Sequence, residues 1–215
     1  MSSSPIPFRF VLLALSFGVL SLVAGATLWR IHDARPQDIP QHLVRLPEPR
    51  VIADFRLTDH HGQAFALQDL KGHWSLLFFG FTSCPDVCPS TLYQLQQARQ
   101  LMAERLSPQA VPRIYLVSVD PERDSPAKLQ EYLQYFDPQF IGVSGEDAQL
   151  RALTLQLGIA YHVEEHTPGA ALYTVDHSAS ILLLDPQARL YAVLRGPHEA
   201  ATIAAEVAVA VDQES

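Results

Sequence analysis

The chain contains two cysteines, Cys84 and Cys88, and both lie in one short segment that follows the apolar run 74–78. A disulfide between them would close a very small loop and would remove little conformational entropy from the unfolded chain. Thiol chemistry, either metal binding or redox exchange, therefore explains the pair better than a structural cross-link does.

The spacing of the two cysteines is compatible with both kinds of chemistry. In a regular helix, residues four apart have Cβ atoms about 5–6 Å from each other, whereas a disulfide requires about 3.5–4.5 Å. Two thiolates that bind a metal at about 2.3 Å need sulfurs only about 4 Å apart. Pro85 and Pro89 favour a loop that leads into a helix starting near Pro89 or Ser90. Such a loop could also close a disulfide.

Apolar patterns predict the strands and helices that must position this segment. The predicted strands are 51–58, 63–67, 74–81, 113–119, 140–143, 180–184 and 190–194, and the predicted helices are 90–106, 126–136, 146–157 and 198–211. Hairpins at both ends of a centre built from strand–helix units indicate a mixed sheet flanked by helices. The predicted fold class is therefore α/β, of the thioredoxin-like type.

The composition indicates one globular domain with an N-terminal appendage. The chain has 215 residues, of which 48% are hydrophobic and 18% are charged, and this size suits a single hydrophobic core. The formal net charge of −8 argues against a nucleic-acid partner, because such a partner would require a basic surface.

The N-terminal region predicts a membrane anchor. Residues 10–29 carry no charge and have the length of a bilayer-spanning helix, so we expect a transmembrane anchor after a short tail, 1–9. A cleaved signal peptide is the alternative, because Ala24–Ala26 has the small-x-small pattern of a cleavage site. A proline-rich tether, 30–46, then leads to the globular domain, 47–212. Both alternatives place this domain in an exported compartment, where disulfides persist.

His177 is the candidate for a third ligand. It lies just before the predicted strand 180–184. In a thioredoxin-like layout, the loop that enters this strand faces the cysteine segment. The inference depends on the fold, since spacing alone favours a structural histidine at this position.

Three segments of the sequence together resemble a known family. They are Phe79–Pro89, which holds both cysteines, Val117–Pro126, and Val175–Ser178, which holds the histidine. In this order they resemble the three signature segments of the Sco/SenC family. The resemblance extends over about residues 47–211.

This resemblance implies a thioredoxin-like domain that binds copper, as Cu(I) or Cu(II), through Cys84, Cys88 and His177. It also implies a copper chaperone that assembles the dinuclear copper centre of cytochrome c oxidase, while some family members resemble thiol–disulfide reductases acting on that centre's cysteines. The donor set agrees with copper, because thiolate and imidazole ligands suit Cu(I) and three ligands leave a position free for a recipient. Structural zinc is disfavoured, since it usually has four protein ligands.

Two acidic residues are candidates for a supporting role. Asp86 lies between the cysteines, and Asp120 ends a predicted parallel strand, at the edge where sites of α/β sheets collect. Each is a candidate for contact with the ligands or with a partner protein. The alternative for both is turn formation, which is common for Asp beside proline.

The other histidines that we considered are assigned no site. His162 and His166 have a metal-like spacing, but the pattern around them favours a strand edge that leads into a loop. His60 and His61 lie in a predicted hairpin turn, where we expect both side chains to be solvated.

The leading hypothesis is a membrane-anchored copper metallochaperone whose partners are the copper-centre subunit of cytochrome c oxidase, a copper donor and a thiol reductant. The rival is a thiol–disulfide oxidoreductase that uses Cys84 and Cys88 as its redox pair. A weaker third hypothesis is a peroxide-handling thiol protein or redox sensor. The expected location is the inner membrane, with the soluble domain facing the periplasm or, in a eukaryote, the mitochondrial intermembrane space.

Overall fold

The computed structural model describes Ser21, Gly25 and residues 42–214. The tail and anchor predicted for residues 1–29 lie outside the described residues, apart from Ser21 and Gly25, as does the tether as far as residue 41. Within the described residues, none of the helices has both the length and the hydropathy of a membrane span. Residues from His42 onward form one compact unit.

This unit consists of strands and four α-helices in alternation. The strands are β1 (Leu43–Arg50), β2 (Arg56–Asp59), β3 (Ala64–Ala66), β4 (Ser75–Gly80), β5 (Arg113–Ser118), β6 (Ile141–Ser144), β7 (Tyr161–Val163), β8 (Val175–His177), β9 (Ile181–Leu184) and β10 (Leu190–Leu194). The helices are α1 (Val87–Ala103), α2 (Pro126–Leu133), α3 (Asp147–Leu157) and α4 (Ala200–Asp212), and a short 3-10 helix covers Leu67–Leu70.

A mixed sheet forms the centre of the unit, with the strand order β1-β10-β9-β4-β5-β6-β2-β3. The neighbours β4, β5 and β6 run parallel, and the other pairs are antiparallel. Strands β4 and β9 are buried along their whole length, as expected for continuous apolar sequences in the middle of a covered sheet. The carboxyl ends of β4 and β5 meet, because Gly80 lies opposite Ser118.

Helix α1 carries one apolar face into the core and packs against α4. The buried residues of α1 recur at helical spacing and are Cys88, Thr91, Leu92, Leu95, Ala98 and Met102. Helix α2 packs against β6. Helix α1, whose first turn contains Cys88, is thus held by α4, and α2 is held by the sheet.

Helix α1 begins earlier than the prolines suggest. Its first residue is Val87 and its N-cap is Asp86, whereas the sequence predicts a start near Pro89 or Ser90. Pro89 is tolerated because the amides of a first helical turn have no acceptor within the helix. As a result, Cys88 belongs to the first turn of α1, and helical geometry rather than a loop sets its direction.

Two strand pairings differ from the predicted layout. Strand β1 already begins at Leu43, inside the segment predicted as a tether, because it pairs with β10 at the edge of the sheet. Strands β7 and β8 form a separate two-stranded sheet in which Tyr161 lies opposite His177. Each pairing depends on a partner element elsewhere in the chain, so local patterns do not reveal it.

His60 is buried, which corrects the expectation that both histidines of the first hairpin turn are solvated. Only 7% of His60 is exposed. Its Nδ1 accepts a hydrogen bond from the amide of Gly142 at 2.7 Å, and its own amide donates to the carbonyl of Gly142 at 2.8 Å. His60 therefore holds the β2–β3 hairpin against β6, while His61 is exposed.

Candidate metal centre

The structure brings together the three side chains that the sequence singles out as metal ligands. One donor atom from each of Cys84, Cys88 and His177 lies within 4.8 Å of the other two. Within the described residues, no other group of three or more Cys, His, Asp or Glu side chains is arranged in this way. Cys88 is buried, whereas Cys84 is partly exposed, and both thiols are free.

The two cysteines are joined through the beginning of α1. The amide of Cys88 donates a hydrogen bond to the sulfur of Cys84 at 3.4 Å. This amide is one of the unpaired donors of the first helical turn, which commonly bond to a group that precedes the helix. The interaction orients the sulfur of Cys84 toward the end of the helix where Cys88 lies.

Gly80, the last residue of β4, leaves room for the sulfur of Cys88. A Cβ atom at Gly80 would lie 2.8 Å from this sulfur and 3.2 Å from the ring of Phe78. Real Cβ atoms essentially never lie as close as 2.8 Å to another heavy atom. Glycine is therefore required here by the close approach of the helix to the strand.

Asp124 holds the loop that precedes the cysteines, a role that sequence reasoning missed. Its side chain is completely buried. It accepts hydrogen bonds from the amide of Thr82 at 2.9 Å, from the hydroxyl of Thr82 at 2.5 Å and from the hydroxyl of Ser118 at 2.7 Å. The carboxylate thus ties the loop to the end of β5. Asp124 belongs to the second signature segment, but nothing in that segment predicts its contacts.

His177 is the last residue of β8, and two aromatic rings surround its imidazole. The ring centroids of Phe78 and Phe81 lie 6.1 Å and 5.8 Å from that of His177, both edge-on. The Nδ1 atom lies 3.2 Å from the carbonyl of Ser178, and a carbonyl can only accept, so Nδ1 carries the proton. The lone pair of Nε2 is left facing the sulfur of Cys88 at 3.3 Å.

Burial keeps the Cys88 thiol and the His177 imidazole uncharged when no metal is present. Desolvation raises the pKa of the Cys88 thiol well above its usual value, and desolvation lowers the pKa of His177. A neutral thiol can donate its hydrogen to Nε2, which explains the contact between the two. A metal ion that takes this place must displace the thiol proton, so its binding releases a proton.

The two candidate acidic residues occupy different environments. Asp86 is exposed and makes no side-chain hydrogen bond as the N-cap of α1. Asp120 is buried, accepting hydrogen bonds from Arg123 Nε and from the hydroxyl of Tyr173, each at 2.5 Å. The guanidinium carbon of Arg123 lies 3.6 Å from the ring centroid of Tyr173 and 5.6 Å from that of Phe81. Asp120 therefore reaches the centre only indirectly, through Arg123 and the ring of Phe81 that contacts His177.

The other two histidines considered as ligands lie in different surroundings. His166 stacks on the ring of Tyr173 with centroids 3.6 Å apart, and its Nε2 lies 2.8 Å from a carboxylate oxygen of Glu122. His162 is exposed on β7. Neither belongs to the group of donors formed by the cysteines.

Comparison with known proteins identifies relatives over most of the chain. The SCO1/SenC family model matches residues 45–212. A protein of Stutzerimonas stutzeri described as a putative copper-binding protein is 36% identical over 87% of this chain and 90% of its own length. An SCO2-like protein of Rickettsia felis is 34% identical over 78% of this chain and 82% of its own length.

Solved structures of Sco proteins have the same fold. The copper-bound ScoI of Bradyrhizobium japonicum is 33% identical, with a TM-score of 0.63 over 73% of this chain and 98% of its own. The copper-bound ScoI of Arabidopsis thaliana is 28% identical, with a TM-score of 0.69 over 76% of this chain and 99% of its own. The predicted thioredoxin-like α/β fold class is thereby confirmed for the domain that begins at His42. The chain belongs to the SCO1/SenC family.

Proposed function

We propose that this protein binds one copper ion through Cys84 Sγ, Cys88 Sγ and His177 Nε2, and delivers it to a partner protein. The observation that carries the proposal is the grouping of these three donors within 4.8 Å. They come from two regions far apart in the chain, the loop and first turn at the start of α1 and the end of β8. Such a convergence of soft donors in a partly accessible position suits a transferable metal.

The chemistry of the donors favours copper over zinc. Thiolate sulfur and imidazole nitrogen suit Cu(I), and a site with two thiolates and a neutral imidazole has a net charge of −1 with Cu(I) and zero with Cu(II). Both charges are moderate for a centre that is only partly exposed. Three ligands leave a position for an incoming ligand, whereas structural zinc usually has four protein ligands.

The unequal exposure of the two cysteines determines from which side an incoming ligand reaches the metal. Cys88 is buried and Cys84 is partly exposed, so an incoming ligand reaches the metal from the side of Cys84. Exchange then proceeds by replacement of the Cys84 sulfur first, while Cys88 and His177 still hold the ion.

Membership of the SCO1/SenC family supports copper as the metal and cytochrome c oxidase as the protein that receives it. The relatives ScoI of Bradyrhizobium japonicum and ScoI of Arabidopsis thaliana have structures with copper bound. Resemblance to the Sco/SenC family implies delivery to the dinuclear copper centre of cytochrome c oxidase, aided by a copper donor and a thiol reductant. An anchor in residues 10–29 would hold the domain at the inner membrane, facing the periplasm or the intermembrane space.

A copper titration of the reduced protein tests the proposal. We expect one tightly bound copper ion per chain, and loss of this binding in His177→Ala and in the double variant Cys84→Ser/Cys88→Ser. The matched control is His162→Ala, which removes an exposed histidine on β7 and should leave copper binding unchanged. Wild-type protein that holds no copper, or a His177→Ala variant that binds it as tightly, would contradict the proposal.

The second candidate function is thiol–disulfide exchange with the same cysteines. It is favoured by the two free thiols, whose sulfurs lie within 4.8 Å of each other. Because burial raises the pKa of the Cys88 thiol, the attacking group would be Cys84 and the resolving group Cys88. If the protein reduces a partner disulfide rapidly, and the His177→Ala variant does so at the same rate, this function is favoured. A copper chaperone would instead lose its copper in that variant.

A further inference from the structure

The loop between β5 and α2 contacts both parts of the chain that carry the proposed ligands. On one side, Asp124 accepts hydrogen bonds from Thr82 at 2.9 Å and 2.5 Å, just before the first cysteine. On the other side, Arg123 Nη1 donates to the carbonyl of Tyr173 at 3.1 Å, in the segment that leads into β8. One short loop therefore connects the segment of the cysteines with the hairpin of His177.

Arg123 is held in this loop in a single orientation. Its side chain is only 13% exposed, and its Nε donates to buried Asp120 at 2.5 Å. The same carboxylate accepts from the hydroxyl of Tyr173 at 2.5 Å. The guanidinium carbon and the ring of His166 each lie 3.6 Å from the ring centroid of Tyr173, so they occupy opposite faces of that ring. Because the donors of a guanidinium form a rigid planar fork, these contacts determine both its position and its plane.

Hydrogen bonding alone does not account for the position of Arg123. Its Nη2 is buried and has no hydrogen-bond partner among the residues that the structure describes. Native structures rarely bury such a donor unpaired, because the missing hydrogen bond destabilises the fold. The guanidinium carbon lies 5.6 Å from the ring centroid of Phe81, within the range in which an aromatic face attracts a cation. The contact with Phe81 is therefore the feature that the unpaired nitrogen accompanies.

The ring of Phe81 connects Arg123 to the metal centre. It is 5% exposed, and its centroid lies 5.8 Å from that of the His177 imidazole, with the two planes nearly perpendicular at 86°. Side chains in a close-packed interior do not move without displacing their neighbours. A shift of Arg123 would therefore move the aromatic ring against which the imidazole rests.

We propose that Arg123 is a positioning residue of the metal centre, which fixes the ring of Phe81 and through this ring holds His177 Nε2 in the direction of the cysteine sulfurs. Asp120 and Tyr173 fix the guanidinium, the guanidinium fixes the ring, and the ring fixes the imidazole. The role requires no change of charge at any ligand. The inference rests on the proposed copper function, since it concerns the orientation of one of the proposed ligands.

The variant Arg123→Lys tests the inference. It keeps a positive charge beside Asp120 but loses the planar fork that contacts Tyr173 and Phe81 together. We expect the affinity of the reduced full chain for Cu(I), measured by competition with a chelator, to fall about tenfold. In the copper-free protein the NMR signals of the His177 ring should shift and broaden, because the ring of Phe81 moves and the imidazole is no longer held in one orientation. A purely structural role would lower the melting temperature and leave these signals unchanged.

The matched control is Arg151→Lys, on α3. Arg151 also combines an ion pair, with Asp147 at 2.6 Å, and a ring contact, with Tyr161 of β7 at 5.3 Å. Its side chain is 59% exposed, and it has no connection to the metal centre through Phe81. This variant should leave the copper affinity and the His177 signals unchanged.

A second variant, Phe81→Leu, shows whether Arg123 acts through this ring. Two residues that act through one contact give losses that do not add in free energy. The combined variant Arg123→Lys/Phe81→Leu should therefore bind Cu(I) about as tightly as Phe81→Leu alone. Losses that multiply would show that the two side chains act independently, which overturns the inference. If Arg123→Lys does not fold, Phe81→Leu decides alone, and wild-type copper affinity in that variant would refute the proposed role.

The copper measurements and the NMR measurements separate this inference from the proposed function. If Arg123→Lys binds copper as tightly as the wild type, Arg123 has only a packing role and the inference is overturned, while the copper site stands. If the wild type binds no copper but the His177 signals respond as expected, the proposed function fails while the hold of Arg123 on His177 stands.

Discussion

His177 illustrates how burial and one hydrogen bond prepare a side chain to bind a metal. Burial beside Phe78 and Phe81 lowers its pKa, so that the imidazole is neutral at neutral pH. The carbonyl of Ser178 holds the proton on Nδ1. A solvated histidine would be half protonated near pH 6.5 and could rotate freely. The buried ring instead presents one lone pair in one direction, toward Cys88.

His60 leads to a prediction for the pH dependence of stability. Burial, followed by the neighbouring His61, lowers its pKa in the folded protein, and its Nδ1 must stay unprotonated to accept from Gly142. The stability that neutral His60 contributes is fully present above the unfolded pKa of about 6.5 and is lost as the pH falls from there toward the lower folded pKa. The free energy of unfolding of the copper-free protein should therefore decrease between about pH 6.5 and pH 5.

The substitution His60→Asn separates this contribution from that of other histidines. The Oδ1 atom of Asn can accept from Gly142 as Nδ1 does, but it does not titrate in this range. Urea unfolding at pH 7.5 and pH 5 should show a smaller loss of stability in His60→Asn than in the wild type. The control His162→Asn changes an exposed histidine on β7 and should behave like the wild type. Equal acid sensitivity of all three proteins would show that His60 is not responsible.

At the scale of elements, the site depends on how closely α1 approaches β4. Gly80→Ala adds a methyl group 2.8 Å from the sulfur of Cys88, so we expect a loss of stability of about 1–3 kcal/mol from overpacking. The displaced sulfur should also weaken copper binding. The measurements are thermal unfolding of the copper-free protein and a Cu(I) competition titration.

A substitution at a second tightly packed glycine distinguishes a direct effect on the metal centre from a general loss of stability. Gly145→Ala places a methyl group 2.6 Å from the side chain of Leu57, where it overpacks the core without touching a proposed ligand. This variant should lose stability to a similar degree but keep the copper affinity of the folded protein. If both variants bind copper equally well, the close approach at Gly80 serves packing alone.

Elements differ in how far the sequence predicts them. Strand β10 is predicted at its observed bounds, Leu190–Leu194, because its apolar run follows a clear turn signal. The hairpin of β7 and β8, which delivers His177, is not predicted, since its short strands pair only in three dimensions. The supporting group Asp124 escapes prediction for the same reason. Its importance comes from buried contacts with Thr82 and Ser118, which the residue type alone does not reveal.

At the scale of the whole domain, the proposed ligands connect elements from both halves of the chain. Cys88 and His177 are separated by 89 positions, and the hairpin that carries His177 is attached to the β5–α2 loop through Arg123, which donates to the carbonyl of Tyr173 at 3.1 Å. A metal ion at this point would join the start of α1 to the end of β8. Such a link exists only in the folded state, because the unfolded chain does not hold the three donors together.

Copper should therefore raise the thermal stability of the reduced protein. A ligand that binds only the native state stabilises it by about 2.7 kcal/mol at a free concentration of 100 times its dissociation constant. For a domain of this size, each kcal/mol corresponds to about 2–4 °C in the melting temperature, so calorimetry should show an increase of about 5–10 °C. The increase should vanish in His177→Ala and persist in His162→Ala. It should also diminish in acid, because the thiols and the imidazolium must lose their protons to bind the metal. A copper-induced increase of the same size in His177→Ala would mean that the ion is held by the cysteines alone, and the connection between α1 and β8 would then contribute nothing to stability.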